Sequence, residues 1–414
     1  MLNAADVDLS DWEFWRRPLD HRHEAFKALR WEPELVHFDE PDIAIVPQGP
    51  GFYAVTRHAD IVEVSRRPQD FCSGRGAISI VDLPGDMHEY FGSMISMDDP
   101  RHAKIRRIVS QAFTPRMIRR LEDKVDQVAS EIVEDVAAAG GGDFVLDVAA
   151  RLPLKIICDM MGIGEESYRT VFDATNVILG GNDPEFLPAN DGEQIALALL
   201  TAGQTLKELV EDLGRRRRAE PSDDLTSALV NANVDGESLT DQELGSFFIL
   251  LVVAGNETTR NAIAHGLDLL TRHPEQRALL AEDFEAHAPA AVEEIVRYVS
   301  PVIWMRRTAT RDTVLNDHEI KEGDKLLLYY WSANRDELVF KDSGRFDITR
   351  SPNPHLGFGG PGPHFCLGAH LARREITVMF RQLLSGLPSI QASGAPDRLE
   401  SSFLNGIKRL PYTV

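Results

Sequence analysis

The chain has 414 residues, 43% of them hydrophobic, enough apolar side chain to bury a large core. Its formal net charge of -21 excludes a nucleic-acid partner, which needs a basic surface, and three widely spaced cysteines exclude a disulfide framework and a zinc cluster. The opening residues are acidic rather than basic, so no signal peptide is expected, and no apolar run reaches the roughly 20 residues of a membrane span. A soluble, cytoplasmic protein is predicted, and with no Pro/Ser-rich linker or internal repeat, residues 1–414 are expected to form one domain.

In chain order, Phe52 to Thr56 reads as a strand, and His102 and Arg106, at i and i+4, share a helix face. Helical apolar spacing covers Ile118 to Ala139, Leu152 to Met161 and Gly192 to Arg217, with Gly140-Gly-Gly142 as a helix-to-strand turn. Thr240-Asp-Gln-Glu243 is a capping box that starts a helix over Asp241 to Arg272. From Leu244 to Val253 that helix is apolar on all sides, so it should cross the core. Into it the sequence sets Ala254-Gly255-Asn256-Glu257-Thr258-Thr259, an acid, two hydroxyls and a helix-weakening glycine that are costly to bury without a use. A helix over Ala286 to Tyr298 carries Glu294 and Arg297 three apart, and Arg306 to Leu328 alternates around turns like several short strands.

The run Leu356-Gly-Phe-Gly-Gly-Pro-Gly-Pro-His-Phe-Cys366-Leu-Gly-Ala is the most informative. Every residue between Phe358 and His364 is glycine or proline, so the backbone bends sharply or comes close to something flat and bulky. Helical spacing resumes after the cysteine, from Ala372 through Leu384, which sets Cys366 in the positive field of a helix N-terminus and favours thiolate over thiol. A lone thiolate on a glycine platform suits haem iron as an axial ligand. Cys72 and Cys158, in ordinary apolar surroundings, read as packing residues.

Together these segments resemble the cytochrome P-450 family, from about Trp12 to the C-terminus. The resemblance implies a mainly α fold with small β-sheets, a single large domain enclosing a haem, and haem b (iron protoporphyrin IX) ligated by Cys366. It implies that Phe358, Gly368 and Ala254 lie against the haem and that His102, Arg106, Arg307 and His364 hold its propionates. It further implies that Gly255 lets the helix open for a diatomic ligand. Thr258 then donates a hydrogen bond to the oxygen substrate, and Glu257 relays protons. Glu294 and Arg297 become a structural pair completed by a later arginine, Arg345 or Arg350. The family's phenylalanine seven residues before the cysteine is here Gly359, with Phe358 eight before, so the loop carries one extra residue. Ala254 to Asn261, Asn353 to Gly360 and Asn405 to Lys408 look like an actinobacterial group of methyl-branched-lipid ω-hydroxylases and cholesterol C26/C27 hydroxylases. Glu89 to Met94, Ile156 to Gly162 and Asn176 to Gly180 are most similar to the branched-lipid enzymes.

Ile78, Ile80, Val81 and Leu83, with Ile95, Val177, Leu179, Leu251, Val302, Trp304 and Phe403, are the expected pocket residues, and their apolar character calls for an apolar lipid substrate. Trp304 or Phe403 is expected to narrow the channel so that a chain end reaches the iron. With no flavin or iron–sulfur motif in the chain, electrons are expected from NAD(P)H through a ferredoxin reductase and an acidic ferredoxin. The docking cations would be Lys104, Arg106, Arg107, Arg116, Arg119, Arg120, Arg373 and Arg374. A monomeric monooxygenase acting on the terminal carbon of methyl-branched lipids or isoprenoids is the reading. The alternatives are a sterol side-chain hydroxylase or a non-catalytic haem-thiolate sensor or lipid carrier.

Overall fold

A helix from Asp241 to Arg272, about 48 Å long, forms the axis of the molecule, a computed structural model that describes residues 2–42, 46–83, 87–113, 115–180, 183–187, 192–233 and 236–414. The capping box forms as expected: Glu243 N–H donates to Thr240 Oγ1 at 3.2 Å and Thr240 N–H to Glu243 Oε2 at 2.9 Å. This central helix packs against the helices Arg151–Met161, Gly192–Ala219, Phe284–Val299 and Ala369–Gly386. The largest apolar cluster surrounds it.

The predicted helices are all present, with ends shifted by a few residues: Pro115–Ala139, Arg151–Met161, Gly192–Ala219, Asp241–Arg272 and Phe284–Val299. The glycines at 140–142 end one helix and begin the strand Gly141–Asp143, as expected. The region from Arg306 to Leu328 resolves into strands Met305–Ala309, Thr313–Leu315, His318–Ile320 and Lys325–Leu328. A five-stranded sheet orders Val36–Phe38, Phe52–Val55, Lys325–Leu328, Met305–Ala309 and Phe71–Cys72, parallel only between the second and third. Against it lies a second apolar cluster, built on Phe14, Trp15, Phe26, Phe52, Tyr329 and Trp331.

Glu294 and Arg297 are wholly buried and joined by two bonds, Arg297 Nε to Oε2 at 2.7 Å and Nη2 to Oε1 at 2.8 Å. The third member is Arg350, whose Nε reaches Glu294 Oε2 at 3.1 Å. Arg345 offers only its backbone carbonyl, to Arg297 and Arg350. Two arginines on one carboxylate fix the Glu294 helix to the segment that leads into the cysteine loop.

Candidate active site

The cysteine loop is braced by protein on the side its glycines face. A Cβ on Gly360 would stand 2.3 Å from Ser65 Oγ, and one on Gly362 2.2 Å from the Ser65 carbonyl oxygen, in the helix His58–Arg66. The close approach demanded by these glycines is therefore to that helix, a contact the sequence reading missed. Gly359 takes φ +88°, and Cys366 N–H donates to the Phe358 carbonyl at 3.0 Å, which folds the loop back on itself. The Phe358 ring lies 4.2 Å from the Arg373 guanidinium, which in turn pairs with Glu293. Gly368 is the N-cap of the helix Ala369–Gly386.

Water reaches Cys366, yet protein surrounds it on most sides. Burial pushes its thiol up, and the Gly368 and Ala369 N–H groups with Arg106 and Arg373 offset only part of that. The helix N-terminus does favour the thiolate, as expected, but for the side chain by itself the net direction is upward, because desolvation outweighs the local field. Deprotonation is left to a bound cation. Cys72 and Cys158 are buried, as packing residues should be.

On the central helix, Thr258 Oγ1 donates to the Ala254 carbonyl at 2.7 Å. Its one hydrogen is thus used inside the helix, and the capacity it turns outward in this arrangement is that of an acceptor. The helix runs from Asp241 to Arg272 through Gly255. The missing side chain there makes room for Ile157, whose Cδ1 would lie 2.6 Å from a Cβ. Glu257 is buried and paired with Arg260, whose Nη1 also donates to Asn176 Oδ1 at 2.9 Å. Burial raises the Glu257 carboxyl, with Arg260 opposing. Arg260 and Asn176 escaped the sequence reading, although an arginine three residues after a buried acid is a visible signal.

The four candidate propionate residues converge. The rings of His102 and His364 are 4.3 Å apart, and Ser73 Oγ lies 3.1 Å from His364 Nε2. His102 Nδ1 faces Asp99 at 3.3 Å, while its Nε2 is buried without a partner. Burial and then Arg307, His102 and Arg106 push His364 down to about 2. Arg106 donates to the Phe365 carbonyl at 2.7 Å and Arg307 to that of Arg306, also at 2.7 Å, and among the described residues neither is spent on a carboxylate. Cations without carboxylates, an orphaned imidazole nitrogen and a cysteine within one cluster fit an iron porphyrin with its two carboxylates.

The apolar candidates are dispersed. Ile95, Val177, Leu251 and Ala254 pack, half-buried, on the main cluster, and Leu179 ends the helix Tyr168–Leu179 half-buried. Val302 joins a third cluster and forms an isolated bridge to Leu404. Trp304 is 2% exposed and packs edge-on to Phe403 at 5.1 Å in the second cluster. That burial makes Trp304 core rather than a wall, and leaves half-buried Phe403 as the accessible member of the pair. Of the expected docking cations, Lys104, Arg120, Arg373 and Arg374 are already paired, with Glu237, Asp223, Glu293 and Asp126. The Arg116 side chain lies outside the described residues. No helix among the described residues is long and apolar enough to cross a membrane.

The profile of the cytochrome P450 family matches residues 45–410. A methyl-branched lipid omega-hydroxylase of Mycobacterium tuberculosis is 48% identical over 412 residues, 99% of this chain and 95% of the relative. A steroid C26-monooxygenase of Mycolicibacterium smegmatis is 40% identical over 371 residues, 88% of this chain and 84% of the relative. Among solved structures, a Mycobacterium marinum cytochrome P450 in complex with pseudoionone superposes with a TM-score of 0.93 at 43% identity, covering 99% of this chain and 98% of that one.

Proposed function

The chain belongs to the cytochrome P450 family and is a haem-thiolate monooxygenase, and from that premise we propose that it hydroxylates the terminal (ω) carbon of methyl-branched lipids or isoprenoids. The observation that carries the reading is the 48% identity, over nearly the whole of both chains, to an enzyme named for that reaction. The pseudoionone of the Mycobacterium marinum relative, an open-chain isoprenoid ketone, points the same way. In this reading the whole chain acts as one cytoplasmic domain, a monomer, reduced by ferredoxin and ferredoxin reductase with NAD(P)H.

Haem b, ligated by Cys366, supplies the redox chemistry that activates O₂, for which no side chain suffices. His102, His364, Arg106 and Arg307 would hold its carboxylates: His102 Nε2 has no partner, and the hydrogen bonds described for Arg106 and Arg307 go to backbone carbonyls. Phe358, Gly368 and Ala254 would lie beside it. Thr258 accepts a hydrogen bond at Oγ1 while its own hydrogen stays on Ala254, and Glu257, drawn by Arg260, holds the proton that is passed inward. Gly255 keeps Ile157 against the helix at this point, so the relay has a fixed wall. Ile95, Val177, Leu179, Leu251, Val302 and Phe403 exclude water around the substrate chain. A primary C–H bond is stronger than a tertiary one, so selectivity for the chain end must come from shape.

The test is a titration of the ferric protein, followed in the Soret band, with a methyl-branched fatty acid, its straight-chain counterpart and cholestenone. The strongest low-to-high-spin shift is expected with the branched acid. A shift with cholestenone alone would transfer the assignment to sterol side-chain oxidation, the second reading, which the similarity to the steroid C26-monooxygenase favours. Absence of turnover with ferredoxin, reductase and NADPH would favour a non-catalytic sensor or lipid carrier.

A further inference from the structure

Arg306 and Arg307 are neighbours on one strand and turn to opposite tasks. Arg307 is next to His364, while Arg306, 1% exposed, faces the segment Ala77 to Leu83. Arg306 Nη1 donates to the carbonyls of Ser79, Ile80 and Val81 at 3.3, 3.1 and 3.4 Å, and its backbone N–H donates to Ala77 O at 2.8 Å. Its guanidinium also meets Thr308 Oγ1 at 3.2 Å. Lys325, 2% exposed on the adjoining strand, donates to Ile80 O at 3.4 Å and to Glu40 Oε1 at 2.5 Å. One side chain joins both cations: Asp82, 2.6 Å from Arg306 Nη2 and 2.9 Å from Lys325 Nζ. Among the described residues Asp82 is the only carboxylate on Arg306. At the far end of the segment, Leu83 N–H donates to His88 Nε2 at 3.2 Å.

We propose that Asp82 is a positioning residue: by latching the segment Ala77 to Leu83 to Arg306 and Lys325, it fixes one wall of the substrate channel and so decides which carbon of the chain is oxidised. The segment's own side chains reach the relevant places. Ile80 packs into the cluster that holds Trp304 and Phe403, and Ile78 Cδ1 lies near Gly92, beside the turn that carries Ile95. Burial pushes the Asp82 carboxyl up, but Lys325 and Arg306 outweigh it and the net direction is down, so the latch carries its full charge at neutral pH. The carboxylate itself is 60% exposed, so water competes for it and the latch can open without unfolding the sheet behind it.

This inference rests on the hydroxylase reading, and its test separates the two. Asp82→Asn holoenzyme is compared with wild type and with Glu40→Gln, which removes a carboxylate from Lys325 but leaves Asp82 on the segment. Hydrogen exchange of the amides at 77–83 is expected to speed up about tenfold in Asp82→Asn and to stay unchanged in Glu40→Gln. The ratio of terminal to in-chain alcohols from a branched fatty acid is expected to fall about threefold or more in Asp82→Asn only. Unchanged exchange overturns the latch, and faster exchange with an unchanged product ratio overturns its role in selectivity. If Asp82→Asn fails to fold, Asp82→Glu replaces it, with a smaller shift in the same direction expected and an unchanged ratio again overturning the proposal. If wild type turns over no branched acid, the substrate reading fails. The latch is then judged by exchange together with imidazole affinity in the Soret band, where equal affinity of Asp82→Asn and wild type overturns it.

Discussion

Thr258 owns one hydroxyl hydrogen, and Ala254 holds it. In the proposed relay, proton supply therefore begins at Glu257, and Glu257→Gln is expected to lower kcat by about 10²-fold with KM little changed, in steady-state assays with ferredoxin and NADPH. The same change leaves Arg260 buried without its carboxylate, so a thermal melt should register a loss of about 3 kcal/mol, and the two readouts together separate proton relay from folding. Glu375 makes a second case. It is 2% exposed with one oxygen unpartnered, and burial pushes it up to about 8. Its folded form keeps a proton that the unfolded chain releases near pH 4.5, so stability falls as pH rises from there through about 8. Glu375→Gln should remove that slope, raising stability at pH 8 by up to about 4 kcal/mol and changing little at pH 4, in denaturant titrations at the two values. Residue types told of Cys366, Glu257 and Thr258 because their chemistry is rare in apolar surroundings. The direction of the Cys366 shift was not legible, since desolvation belongs to everything packed around a residue and not to its neighbours in sequence.

Elements were legible in proportion to their length. Asp241 to Arg272 repeats its pattern over 32 residues and has a side-chain cap, so both ends follow from sequence. The strands Gln391–Ala392 and Asp397–Arg398 span two residues each and hold no alternation to read. Which arginine completes the Glu294 pair was equally hidden, because it depends on a turn some fifty residues on. Geometry makes the choice testable. Arg350→Ala is expected to cost about 3–5 kcal/mol, by leaving a buried carboxylate half-neutralised. Arg345→Ala, which removes an exposed side chain and keeps the backbone carbonyl that meets Arg297 and Arg350, should stay within about 0.5 kcal/mol. Chemical denaturation of both variants decides it.

At the scale of the whole molecule, the acidic total of -21 and the cation-rich cysteine side pull in opposite directions. Among the described residues, Lys104, Arg120, Arg373 and Arg374 are tied to carboxylates within the chain, which leaves a weaker field than the sequence suggests. The apparent KM for ferredoxin should therefore rise by less than about tenfold between 50 and 500 mM salt. The long pairings are what no local pattern displays, and one of them bears on how the protein is made. Ser73 meets His364 across a sequence separation of 291, at the edge of the glycine loop. A ribosome adding about 5–20 residues per second needs roughly 15–60 s to travel that far. For that whole interval the early helices have their faces ready and nothing to clasp, so capture of the pigment belongs to the last moments of translation or after it. Starving cells of iron porphyrin should then leave a full-length but incompletely closed polypeptide rather than a stalled fragment.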